Sequence, residues 1–297
     1  MYGIDFHADD YAASPENSRR ILSLLQAGRI DSFSVITNMG CYAECMALLR
    51  EVWNDLPARP LLSVHLNLID GYQLSAPEEG RVIRNSWIGL FLRSLVPGKG
   101  RKALRAFCSA EIEAQIRAFL DRTSDLTDAQ GAPLSLRIDS HVHTHMIPLV
   151  FQALMDALDR MDLRGRVRFI RCSTEPLLMF LSTRGIPGTI SPVNIAKNLI
   201  LHLLSHYVRI RLGREGIPTG RIFGLILTGE MDAERVSLLL PKMKKYAREK
   251  DAYLEIMSHP GRSLPEEITE EYGPDDVRAF LSEKRDTEYR MLMEMER

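Results

Sequence analysis

The sequence predicts an α/β fold: a distorted (β/α) barrel of about seven mostly parallel strands in a single domain. Three observations carry this. Seven short apolar runs recur along the 297 residues, each followed by a polar residue capable of chemistry. The runs are mostly four to seven residues long, as strands buried on both faces should be. Helical patterns separate them, and strands alternating with helices give a parallel sheet. Reactive side chains that track the carboxyl ends of parallel strands point to one shared site.

The elements follow in order. A first strand over 2–7 leads into Asp9 and Asp10. Ser14-Pro15-Glu16 then starts a helix, with a capping serine and a proline at the first helical position. Ile21, Leu22, Leu24 and Leu25 give that helix its apolar residues, and Gly28 stops it. A second strand over 33–37 ends at Asn38, and a helix over 41–54 follows. The third strand, 61–66, carries His65. A helix over 110–122 precedes the fourth strand, 134–139, which runs into Asp139, His141, His143 and His145. A helix over 147–161 returns to a fifth strand, 167–171, closing on Arg171. The sixth strand, 222–227, is followed by Thr228 and Glu230. After a helix over 233–249, the seventh strand, 252–258, delivers His259.

Two segments break the alternation, and both read as insertions. Residues 70–108 hold turn residues and the basic stretch VPGKGRKALR. Residues 176–220 include NLILHLLSHYVRIRLGR, where Leu199, Leu203, Leu204, Val208 and Leu212 can share one helical face. That helix fits packing on the barrel or on a second subunit, a lid over the site, or peripheral contact with a membrane surface through 194–214.

Composition narrows the function class. Thirty-eight Lys and Arg against 39 Asp and Glu leave a net charge of -1, which gives no reason to expect nucleic acid. No apolar run approaches the roughly 18 residues of a transmembrane helix. The start, MYGIDFHADDY, reads as a strand and not as a signal peptide. Cys41, Cys45, Cys108 and Cys172 lack zinc-finger spacing, so they read as reduced thiols of a cytoplasmic protein.

The clusters suggest a divalent metal hydrolase. An Asp-Asp pair alone more often marks a turn or helix cap, and a lone strand histidine is more often structural. RIDSHVHTHMIP is the denser signal, because three of the chain's eight histidines fall within five residues. Pro260 and Gly261 force a turn that exposes His259. One oxygen and two nitrogen ligands would leave positions open for water and substrate, as in a catalytic site. Of two adjacent carboxylates, one can bind the metal while the other acts as general base.

Four motifs together resemble the YdjC/ChbG-like carbohydrate deacetylases. His7-Ala8-Asp9-Asp10-Tyr11 is similar to that family's Asn-Ala-Asp-Asp-Phe start, and SVHLNLIDG to its Gly-x-His-Leu-x-Leu-x-x-Gly. RIDSHVHTHMIP resembles its Asp-Ser-His-x-His-x-His-x-x-Pro, and MSHPG its Cys-His-Pro-Gly. The resemblance runs over nearly the whole chain, in order. It implies metal ligands Asp10, His65 and His141 for one Mg2+ or Zn2+ ion, Asp9 as base, and His259 as acid or oxyanion partner. Arg171 would orient Asp9 or contact substrate. His7, Asn38, Asp139, His143 and His145 would support the site or touch the substrate. The implied reaction removes an N-acetyl group from an amino-sugar-containing oligosaccharide or glycoconjugate, and the implied assembly is a homodimer. A metal hydrolase of another bond, such as a phosphoester, and a non-catalytic sugar-binding protein are the alternatives. Two departures stand out. His7 replaces the family's Asn, and Ala12 replaces the Gly after the aromatic. The long 176–220 insertion resembles the hopanoid-biosynthesis-associated branch.

Overall fold

The computed structural model describes residues 2–295. Its seven strands are β1 (Gly3–Tyr11), β2 (Ser32–Val35), β3 (Leu61–Leu66), β4 (Leu136–Ser140), β5 (Val167–Ile170), β6 (Arg221–Phe223) and β7 (Tyr253–Ser258). Every pairing is parallel, in the order β5-β4-β3-β2-β1-β7-β6. The sheet curls into a half-barrel whose edges, β5 and β6, are not laddered together. Across that gap the Ile170 N–H donates to the Pro218 carbonyl at 3.1 Å. Phe169 meets Tyr253 edge-on at 5.5 Å. The distorted α/β barrel expected from the sequence is therefore the fold observed.

The helices are α1 (Pro15–Gln26), α2 (Tyr42–Trp53), α3 (Trp87–Leu95), α4 (Lys99–Thr123), α5 (Pro148–Arg160), α6 (Leu177–Leu181), α7 (Pro192–Glu215), α8 (Ala233–Glu249), α9 (Pro274–Phe280) and α10 (Lys284–Glu294). α1 begins as its sequence requires: the Ser14 side chain accepts from the Asn17 N–H, and Pro15 occupies the first turn. The strands' outer faces and these helices bury the apolar core. Inside the barrel floor a polar layer replaces it. Arg137 lies 3.1 Å from Asp5 and 3.5 Å from Glu255, with its guanidinium 4.5 Å from the Phe169 ring centre. Tyr253 donates to Asp5 at 2.6 Å.

Three expectations need correction. Within the segment 70–108, read as an insertion, lie α3 and the first ten residues of α4. The helix expected at 110–122 begins at Lys99, just after the Pro97-Gly98 turn. The sixth strand ends at Phe223 and not at 227. Gly224 adopts φ 131°, and a Cβ there would lie 2.0 Å from the Met257 carbonyl oxygen, so the chain must turn. Thr228 and Glu230 therefore follow a turn, not a strand end. Finally, the face proposed for α7 is split. Val208 and Leu212 are buried with Leu201 and Ser205, while Leu199 and Leu203 are exposed. The spacing 201, 205, 208, 212 tracks the 3.6-residue period, and 199 and 203 fall outside that stripe.

Glu175 ties the turn after β6 to the chain following β5. Its buried carboxylate accepts from the backbone N–H groups of Gly224, Leu225 at 3.1 Å and Ile226 at 2.7 Å. Removing it leaves three donors without a partner, each worth about 1–3 kcal/mol when buried and unsatisfied. Glu175→Ala is expected to lower unfolding free energy by about 3 kcal/mol or more, read by urea denaturation. Wild-type stability would mean that the loop recovers other acceptors.

Candidate metal centre

Backbone geometry at the end of β1 determines which way two adjacent carboxylates point. In a regular strand Asp9 and Asp10 would face opposite sides. Asp5, His7 and Asp9 do follow one inward face: Ser32 Oγ bridges Asp5 and His7, and His7 Nε2 lies 3.0 Å from Asp9 Oδ1. Asp10 then takes φ 71°, and the β1–β2 register shifts between Ala8 and Tyr11. This bulge brings Asp10 to the site as well. Ala12 also has φ 66°, which explains why the resembled pattern has glycine there.

Asp10, His65 and His141 converge from β1, β3 and the turn after β4. Among the described residues their ligand atoms form one of three sets lying within 4.8 Å of one another. Asp10 Oδ1 is 3.3 Å from His65 Nε2 and 3.1 Å from His141 Nδ1. The outer nitrogens are held by further carboxylates: His65 Nδ1 lies 2.7 Å from Asp139 and His141 Nε2 lies 3.0 Å from Asp276. Metal-binding imidazoles are typically oriented this way. In the other two sets, Asp5–His7–Glu255 and His7–Asp9–Asp139, every carboxylate meets the guanidinium of Arg137 or Arg171, whereas in the first Arg285 takes Asp10 Oδ2 and Oδ1 stays toward the two imidazoles.

Electrostatics favour positive charge at the first set. Burial alone would lower the His65 pKa, but Asp139 and Asp10 push it up to about 9. Burial opposes charge on His141 too, yet Asp276 and Asp10 hold it well above the usual range. Burial would raise the Asp10 carboxyl, but Arg285 at 2.5 Å and His141 keep it ionised. The donor set and its surrounding acids fit a divalent cation.

Beside it, Asp9 is locked by Arg171. The buried guanidinium reaches Asp9 with two hydrogen bonds, 2.8 and 2.7 Å, and Asp139 at 3.1 Å, and it also pairs with Glu255. Against the burial that would raise it, this holds the Asp9 carboxyl well below the usual range. His259 Nε2 stands 3.8 Å from Asp9, and its backbone N–H donates to Glu288. Asp9, Asp10, His65, His141, His143 and His259 share one cavity of about 240 Å³. A larger groove of about 920 Å³ between α4 and α5 has exposed ion pairs on its walls, Arg105–Asp156 and Arg160–Glu113, and no strand-end residue.

A family model described as YdjC-like protein matches residues 4–296. The chain belongs to the YdjC-like family. Among solved structures it resembles an Enterococcus faecalis V583 protein titled a putative cellobiose-phosphate cleavage protein, with TM-score 0.56 and 16% identity over 98% of this chain and 90% of the other. It also aligns with a Cellulomonas fimi endo-beta-1,4-mannanase double mutant, with TM-score 0.44 and 13% identity over 95% of this chain and 71% of that one. The first likeness shows the fold. No curated protein matches the sequence.

The remaining residues singled out in this YdjC-like chain divide. The histidines of RIDSHVHTHMIP do not alternate along a strand, because the chain leaves β4 at Ser140 and turns through Val142 and His143, both at positive φ. His143 lines the cavity, with Nδ1 2.9 Å from Ser173 Oγ. His145 points away: Nδ1 meets Ser140 Oγ at 2.6 Å and Nε2 donates to the Arg171 carbonyl. Asn38 donates to the carbonyls of Asp70 and Tyr72 and pins that loop, and it lies off the cavity wall. His7 and Asp139 lie beneath the site as supports. Sequence reading missed Asp276, Arg285 and Glu288, which α9 and α10 bring in. These helices follow the last strand, so the strand-end signal that found the others was absent. It also missed Lys197, which reaches the cavity from α7.

His145 yields a pH prediction. Burial lowers its pKa from 6.5 to about 4, so the unfolded chain takes up a proton that the folded chain refuses. The stability this contributes is complete above pH 6.5 and is lost as pH falls through about 4. Between pH 6.5 and 5 the linkage amounts to about 2 kcal/mol. Urea unfolding of His145→Asn should lose that share of the wild-type acid sensitivity, and an unchanged slope would mean that His145 is charged in the fold.

Proposed function

We propose that this protein is a metal-dependent hydrolase that removes an N-acetyl group from an amino-sugar-containing substrate. The observation that supports this most is the pairing of two functions at one strand end. A histidine–carboxylate donor set at Asp10, His65 and His141 lies beside a separately clamped carboxylate, Asp9, with His259 Nε2 3.8 Å from Asp9 in the same cavity. The YdjC-like membership and the motif resemblance to carbohydrate deacetylases point to the substrate class. A Zn2+ or Mg2+ ion held by the three would polarise the amide carbonyl and acidify water.

The chain's own residues supply the proton transfers. Asp9 is the base. Arg171 keeps it ionised and fixes its orientation by a two-point contact. Its low basicity is set against this positioning and the acidified water. His259 is part-exposed, with Nε2 3.8 Å from Asp9, and protonates the departing amine. His143 is held neutral by burial and by Lys197 and accepts a substrate hydroxyl. Lys197 lines the same cavity, where its ammonium would favour negative charge developing on the amide oxygen. A cavity of about 240 Å³ is below the usual range for a whole ligand. It admits the acetamido group and its sugar ring and leaves the rest of the glycoconjugate outside.

The metal assignment is tested by metal content. His65→Ala and His141→Ala should each abolish stoichiometric zinc retention, measured by elemental analysis after dialysis. Asp9→Asn should retain the ion but lose acetate release by about 10²–10⁴-fold. Full metal retention in both histidine variants would refute the ligand set. Phosphate release from aryl phosphates without acetate release from N-acetylated sugars would move the reaction to the phosphoester alternative.

His259 is tested by leaving group. His259→Ala should lose more rate on a sugar acetamide than on an aryl acetate, whose leaving group needs little protonation. Equal losses on both would assign the imidazole to the oxyanion instead.

A further inference from the structure

We infer that the chain docks on the surface of an anionic lipid bilayer through the exposed faces of α7 and α3. The two segments that interrupt the β/α alternation share an unusual composition. Residues 70–108 hold seven Lys and Arg against Asp70, Glu78 and Glu79, and residues 176–220 hold five against Glu215. The rest of the chain carries the other 35 acidic residues against 26 Lys and Arg, so the near-zero net charge conceals a segregation.

The same segments expose apolar side chains. α7 already buries one stripe against the barrel, including Leu201, Val208 and Leu212. Its outward face carries Val193, Leu199, Ile200, Leu203 and Ile210, with Leu203 75% exposed. α3 presents Ile88, Leu92 and Leu95, followed by Val96, all more than half exposed. Trp87 and Phe91 stack beside them at 5.3 Å. α3 packs on α4, α7 packs on α5, and α4 and α5 pack on each other, so both faces belong to one run of neighbouring helices. Large exposed apolar patches mark contact surfaces.

Charge decides the occupant. A two-fold contact between copies sets a face against itself, and here that would bring the exposed cations Arg93, Lys99 and Lys102 near α3, and Arg214 at the end of α7, against their own like charges. An anionic lipid surface complements both features, drawing the exposed Arg93, Lys99, Lys102 and Arg214 to headgroups while the apolar side chains enter the interface. The amino-terminal half of α7 also supplies Lys197 to the cavity, so docking would hold the site's entrance near the bilayer. No helix among the described residues is long and apolar enough to span it, so the contact is peripheral.

The test is co-sedimentation of the full chain with vesicles of phosphatidylcholine, with and without phosphatidylglycerol. The mixed vesicles should pellet the protein, and binding should fall by about tenfold or more without the anionic lipid or in high salt. Leu199→Glu/Leu203→Glu should weaken binding to the mixed vesicles by a similar factor, and Ile88→Glu/Leu92→Glu should also weaken it. These side chains are solvent-exposed, and circular dichroism verifies that each variant is folded. No pelleting with mixed vesicles, or pelleting that both variants leave unchanged, would overturn the inference. So would a dimer in gel filtration that Leu203→Glu splits while lipid binding is absent, which would assign the face to a second copy. Sedimentation reads lipid contact alone, so its outcome is independent of whether the bond cleaved is an amide.

Discussion

The buried guanidinium of Arg171 is the interaction on which the site depends. It sits at the top of the barrel interior and neutralises Asp9 from β1, Asp139 and Glu255 from β7 at once. Three carboxylates from three strands would otherwise repel one another in a dry interior, and leaving buried charge unpaired costs several kcal/mol. The clamp propagates outward. Asp139, held by Arg171, in turn holds His65, and the Arg171 carbonyl takes the His145 ring N–H. A second guanidinium, Arg285, does the same for Asp10 from the opposite side. The two arginines leave Asp10 Oδ1 facing His65 Nε2 at 3.3 Å and His141 Nδ1 at 3.1 Å.

Backbone strain supports this arrangement at two places. Asp10 and Ala12 take positive φ at the end of β1, and Val142 and His143 do so after β4. Non-glycine residues adopt this region at a cost of about 1–2 kcal/mol, and such strain gathers at functional sites. Here its structural consequence is visible. The first kink aims adjacent aspartates into one cavity, and the second separates three close histidines into a cavity-facing pair, His141 and His143, and a buried post, His145.

The polar interior has a corresponding cost in folding. The barrel floor is occupied by Asp5, Arg137 and Glu255 instead of branched aliphatics. The apolar core is displaced outward, between sheet and helices. Ion pairs in such a layer add little net stability over a well-packed apolar floor. Their contribution is to hold the charged residues above them in one geometry. Stability comes instead from the outer layer, where α1, α2, α4, α5 and α8 bury their apolar stripes.

Much of this was legible in the sequence. Periodicity set the parallel α/β class, because apolar runs and helical patterns are local signals. Reactive residues at strand ends marked Asp9, Asp10, His65, Asp139, His141, Arg171 and His259, because a parallel sheet collects its carboxyl ends on one side. The sixth strand was overextended, since Leu225, Ile226 and Leu227 are as apolar as a strand but turn at Gly224 under the hold of Glu175. Only tertiary structure decided which histidines face the cavity, which face of α7 is buried, and that Asp276, Arg285 and Glu288 complete the site. Those outcomes depend on φ angles and on packing between segments more than a hundred residues apart, such as Asp10 with Arg285. Local pattern carries no information about contacts at that separation, whereas it does carry the side-chain period that builds each strand and helix.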